Sequence, residues 1–89
     1  MTSDILSSFS NETRLKLLLC LSKGEKNVTE LIGNCGLSQS AVSQHLEKLR
    51  SSGLVQTKKV GKEVYYSLVH KKAAELSSEL LSFKESINK

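Results

Sequence analysis

Between residues 27 and 53 two short helical signals flank a single glycine, and few folds accommodate that spacing. Asn27-Val28-Thr29-Glu30 fits a capping box, with Asn27 at the cap and Glu30 three residues on. The segment it opens, TELIGNC, is short and runs out at Gly36. Ser38 then offers a second cap. The stretch LSQSAVSQHLEKLRSSGLV sets Val42, Leu46 and Leu49 on one face at i, i+4 and i+7, and its helix ends before Gly53. Two short helices joined by a tight turn of about four residues make a helix-turn-helix, whose second helix is the one presented to DNA.

The outward face of that second helix carries Gln39, Ser40, Ser43, Gln44 and Lys48. A helix exposed only for solubility favours Glu and Lys pairs four residues apart, not short donors and acceptors. His45 lies at the edge of the buried face and reads as a structural histidine. Lys48 and Arg50 have two readings, phosphate contact or stems covering apolar surface.

After Gly53 the period changes from helical to alternating. Leu54 to Val60, then Gly61-Lys62, then Glu63 to Val69 read as two strands of a β-hairpin, rich in Val, Thr and Tyr. Lys58, Lys59 and Lys62 cluster towards its tip, either to meet phosphates or to discourage edge pairing between strands. Tyr65 and Tyr66 face opposite sides of the second strand, one towards the core.

Upstream, ETRLKLLLCLSKG is apolar nearly all round over Leu17 to Leu21 and is expected in the centre of the fold, capped by Ser10 or Asn11. Ile5, Leu6 and Phe9 form a short amphipathic cluster before it. At the other end Ala73, Leu76, Leu80, Phe83 and Ile87 alternate steps of three and four, a seam that requires a partner surface. In so small a chain the seam is expected to meet its own copy, with the Ile5–Phe9 helix beside it.

The 89 residues are expected to form one domain over 1–89, and its size makes a partner subunit a natural remedy for marginal stability. A net charge of +4 suits a polyanion without requiring one. No run is long and apolar enough for a membrane span, and the N-terminus lacks a basic segment followed by an apolar stretch, so the expected location is cytoplasmic. Two cysteines, Cys20 and Cys35, do not make a disulfide framework and are expected as small buried apolar groups. With two histidines, no Gly-rich phosphate loop and no nucleophile–base grouping, enzymatic activity is not expected, nor is a cofactor.

Taken in order, NETRLKLLL, ELIGNCGLSQSAVSQHLEKLRSSGLV and KVGKEVYYSL resemble the ArsR/SmtB family of bacterial winged-helix repressors, over nearly the whole chain. The resemblance implies a mainly α fold with a β-hairpin wing (α-α-α-α-β-β-α), dimeric through its first and last helices. It implies a sequence-specific regulator that binds an inverted-repeat operator in double-stranded DNA and releases it when an effector arrives. Ser38, Gln39, Ser40, Ser43, Gln44 and Lys48 fall where the family's recognition helix meets DNA, and Lys58, Lys59 and Lys62 fall on the wing. Gln bonds adenine N6 and N7 bidentately, while Ser permits close approach to the groove.

The family's metal sites are not matched. Asn27 and Thr29 stand at the Cys-x-Cys positions, and neither supplies the sulfur that soft metals need. His70, Lys72, Phe83 and Ser86 stand at the closing-helix zinc positions, leaving one imidazole per chain. Some relatives switch by linking a cysteine of the second helix to one of the last helix, but this last helix has none. Cys20 and Cys35 are the remaining candidates for a thiol switch, if their Cα atoms lie within roughly 7 Å. The competing reading is a winged-helix interaction or dimerisation module without specific DNA binding.

Overall fold

The structure, a computed structural model, describes residues 2–87, with side chains over 5–33 and 35–87. The chain opens with helix α1 (Thr2–Ser8), then α2 (Glu12–Leu21), a two-residue strand β1 (Lys26–Asn27), α3 (Val28–Cys35) and α4 (Gln39–Ser51). The hairpin β2 (Val55–Val60) and β3 (Glu63–Leu68) follows, and α5 (Lys71–Ile87) closes the fold. Local chemistry sets most of these limits. Asn11 accepts the Arg14 amide at the start of α2. Asn27 and Glu30 complete a reciprocal capping box on α3, at 2.8 and 3.0 Å. Gly36 ends α3 in the left-handed conformation at φ +66°, which costs a glycine nothing. Gly61 at φ +62° turns the hairpin for the same reason.

α2 runs through the centre, as its all-round apolar sequence implies. Its Leu17, Leu18 and Leu21 pack with Leu31 of α3, with Val42, Leu46 and Leu49 of α4, and with Leu54 and Val55. Six of these, Leu17, Leu18, Leu31, Val42, Leu46 and Leu49, have no exposed surface. α4 is therefore bolted to the core along its whole inner face, which fixes the direction of its outer one.

The sheet has three strands in the order β1-β3-β2, one more than the hairpin expected from sequence. β1 pairs antiparallel with β3 at Lys26↔Tyr66 and Asn27↔Tyr65. A two-residue strand leaves no alternation to read, and the capping signal of α3 overlies it. The pairing roots the wing in the helix-turn-helix, because Asn27 is both strand and cap. Asn27 Nδ2 also donates to the Glu63 carboxylate at 2.9 Å, across to the wing.

Ala73 does not lie on the closing seam. It is buried within the protomer, with Ala74 and Ser77 beside it on the face of α5 that meets the core. At 100° per residue Ala73, Ser77 and Ala74 lie about 50°, 90° and 150° round the helix from the centre of the Leu76, Leu80, Phe83 and Ile87 stripe, so Ala73 sits at its inner border. Their small side chains let α5 approach α2 closely. Ser77 satisfies its own buried hydroxyl by donating to the Ala73 carbonyl at 2.8 Å. The remaining four residues form an exposed apolar stripe.

Candidate nucleic-acid interface

Three surfaces follow from this arrangement. The first is the outer face of α4. Ser38, Gln39, Ser40, Ser43 and Gln44 are all exposed, and none of their side chains bonds to another described residue. Ser38 occupies the N-cap position expected of it, yet its hydroxyl makes no capping bond. The first-turn amides of α4 therefore lack a side-chain cap, on the same surface as the polar stripe. Lys48 is half-buried one turn after Gln44. Arg50 turns instead to Glu47 of its own helix, and that bond holds the exposed Glu47 carboxyl below its ordinary range.

The second surface is the wing. Lys58 and Lys59 lie on opposite faces of β2, since strand side chains alternate. Lys58 sits across from Tyr65 and reaches Glu25 at 3.4 Å, an exposed pair of little energetic weight that phosphate could replace. Lys59 sits across from Val64, and Lys62 follows Gly61 in the turn. The three cations do not form one cluster; they spread over both faces and the tip. Tyr66 packs against the core and Tyr65 takes the opposite face, as alternation requires.

The third surface is apolar. Leu6 is 74% exposed, Phe83 64%, Ile87 63% and Leu80 42%. Leu6 and Phe9 from the α1 end join Leu76, Leu80 and Phe83 around an open groove of about 560 Å³. Ile5 is exposed beside them, while Phe9 also packs partly against the core. Lys84 reaches Glu12 at 2.9 Å and ties the end of α5 to the start of α2.

Beneath α4 lies a contact that the sequence did not disclose. The Arg14 guanidinium donates to the Ser7 carbonyl at 2.9 Å and to the Ser8 carbonyl at 3.3 Å. Its third nitrogen meets Nδ1 of His45 at 3.0 Å. The expected structural histidine is thus satisfied. Its partner sits 31 positions away in sequence, and no local signal links the two.

Cys20 and Cys35 are not separate buried thiols. They form a disulfide joining α2 to the last residue of α3, with Cα atoms 6.4 Å apart. Both are half-buried beside a groove that Lys16, Leu19, Ser22 and Lys23 also line. Among the described residues no group of three or more His, Cys, Asp or Glu side chains is placed to hold a metal ion.

A helix-turn-helix with an exposed polar outer face, flanked by a basic hairpin, defines a winged helix-turn-helix protein. The chain belongs to the arsR family of bacterial regulatory proteins, whose pattern matches residues 11–57. The transcriptional activator HlyU of Vibrio cholerae is 47% identical over 64 residues, which make up 72% of this chain and 59% of HlyU. The chain thus spans about three fifths of that relative's length. The crystal structure of the transcriptional repressor BigR from Xylella fastidiosa gives a TM-score of 0.78 at 36% identity, over 92% of this chain and 84% of BigR. A homodimeric winged helix-turn-helix DNA-binding domain from Mycobacterium bovis, of a possible ArsR-family transcriptional regulator, gives 0.76 at 25% identity, over 94% and 78%. The family and these relatives are regulators rather than enzymes. No helix among the described residues is long and apolar enough to cross a membrane.

Proposed function

We propose that residues 1–89 form a single DNA-reading and dimer-forming unit of a cytoplasmic transcriptional regulator. It acts as a homodimer on an inverted-repeat operator and represses by occupying the promoter. The observation that carries this reading is the outer face of α4. Five polar side chains there are exposed and unengaged, on a helix whose inner face is locked into the core. A protein-interaction module would more naturally present aromatic or aliphatic anchors on that face.

In this reading Gln39 and Gln44 address base edges in the major groove. Ser38, Ser40, Ser43 and the first-turn amides of α4 take phosphates or close base contacts, and Lys48 assists from one turn on. Lys58, Lys59 and Lys62 neutralise the flanking backbone. Ile5, Leu6, Phe9, Leu76, Leu80, Phe83 and Ile87 form the dimer face; their exposure supports this, and the homodimeric Mycobacterium bovis relative supports a two-fold assembly. A two-fold dimer presents two α4 helices, so the half-sites fall about one helical turn or a multiple apart.

Two substitutions separate base reading from backbone attraction. Gln44→Ala should reduce discrimination among duplexes by about 1–3 kcal/mol, if Gln44 makes a bidentate base contact. Competition binding across a panel of operator variants checks this, and an unchanged ranking removes Gln44 from base reading. Lys62→Ala should weaken all duplexes alike and flatten the dependence of log affinity on log salt by about one unit. Fluorescence anisotropy over a salt series measures that slope. An untouched slope places Lys62 off the phosphates.

A further inference from the structure

Arg14 joins three elements with one side chain. Two of its nitrogens hold the Ser7 and Ser8 carbonyls at the end of α1, and the third holds Nδ1 of His45 on α4. A guanidinium has donors only, so Nδ1 must be the acceptor nitrogen of a neutral ring, and the proton sits on Nε2. Nε2 makes no bond to the described residues and is not a buried orphan. A second tie runs parallel to the first: the hydroxyls of buried Ser8 and of Ser52, just beyond α4, share a hydrogen bond at 2.9 Å. α1 carries part of the exposed apolar face, and α4 carries the polar reading face. These two bonds help to set their relative placement, and of the two the Arg14–His45 bond is the one that can titrate.

We propose that Arg14 is a positioning residue for the recognition helix, acting through neutral His45, and that its hold lapses when His45 takes a proton. Protonated Nδ1 is a donor facing a donor, and an imidazolium faces a guanidinium at hydrogen-bond distance. Both changes push α4 from the α1–α2 corner. The proposal rests on α4 being the reading helix and adds a proton as the signal that loosens it.

The electrostatics agree with the geometry. Burial first, and the Arg14 charge second, hold His45 below its ordinary value near 6.5. Among the described side chains Arg14 is the charged group whose field reaches the ring, and from α1 the Ser7 and Ser8 carbonyls anchor Arg14. The unfolded chain binds the His45 proton more readily than the folded one. Stability from this link is accordingly complete above the unfolded value near 6.5 and is lost as pH falls through the lower folded value.

The test has one arm without DNA and one with it. In the first, ¹⁵N spectra of the whole protein follow His45 through a pH titration. The neutral ring should be the Nε2–H tautomer, and Arg14→Gln should raise its pKa and mix its tautomers. A proton on Nδ1 at neutral pH overturns the proposal. In the second, affinity is measured from about pH 8 to 5.5 for a duplex enriched from a random pool by the wild-type protein. Wild-type affinity should fall below the folded value by up to about tenfold per pH unit for each protomer, and so up to about a hundredfold for the two-fold dimer. His45→Asn keeps an acceptor near the Nδ1 position without a titrating proton. It should retain affinity at neutral pH and flatten the acid limb, whereas His70→Gln should leave that limb intact. An acid limb unchanged in His45→Asn, or affinity that rises on acidification, overturns the proposal. If no duplex is enriched the DNA reading fails, and the spectra still decide the tautomer.

Discussion

Leu80→Glu is expected to yield a folded monomer that has lost nearly all affinity for its duplex. Leu80 sits at the middle of the exposed stripe on α5 and lines the groove with Leu6, Phe9, Leu76 and Phe83. It is 42% exposed in the single chain, so a carboxylate there meets water and leaves the protomer intact. In the dimer the same carboxylate is buried without a cation, a change that typically costs several kcal/mol. Two linked reading helices exceed one by about 10²–10⁴ in avidity, and the monomer forfeits that gain. Sedimentation equilibrium reads the mass directly. A dimer that survives the substitution would move the interface off the α1–α5 face.

The second large effect concerns the Cys20–Cys35 bond. It closes a loop with a sequence separation of 15. In the chain-entropy view a bridge of that span stabilises by about 3 kcal/mol, which is a large share of the stability of a domain this small. Unfolding free energies from denaturant titrations of oxidised protein and of the Cys20→Ser/Cys35→Ser double variant should differ by that amount, read as a shift in midpoint. Equal midpoints would show that the bond contributes nothing. The same pair of proteins decides whether the cysteines form a switch. We propose that they do, because the bond anchors the last residue of α3 immediately before the turn into α4. Duplex affinity should then differ between oxidised and reduced wild-type protein and be indifferent to reductant in the double variant. If reduction changes stability alone, the pair is a brace and the effector lies elsewhere.

The parts of the fold that the sequence disclosed are those governed by neighbours along the chain. Asn27, Glu30, Gly36 and Gly61 each act through bonds or torsions within a few residues, and their elements begin and end where such signals place them. The outer face of α4 was readable for the same reason: helical period separates Gln39, Ser40, Ser43 and Gln44 from Val42, Leu46 and Leu49. What escaped depends on packing between elements. β1 exists because Lys26 and Asn27 meet Tyr66 and Tyr65, far along the chain. Ala73 belongs to the core because α5 is rotated so that its small residues face α2; a spacing pattern alone gives a stripe but not its phase. Arg14 and His45, like Cys20 and Cys35, are brought together by the crossing of helices. Sequence separation carries no hint of that.

The family relation brings a regulator's fold, and sequence reading by this chain rests on the outer face of α4. The most direct measurement is selection of duplexes from a random pool by the purified protein at moderate salt, followed by sequencing of the bound fraction. Enrichment of one inverted repeat, with half-sites about one helical turn or a multiple apart and lost in Gln44→Ala, is the expected result. Duplexes retained without sequence preference, or none retained at low salt, would contradict it and leave the chain as a dimerisation module whose polar helix face reads nothing.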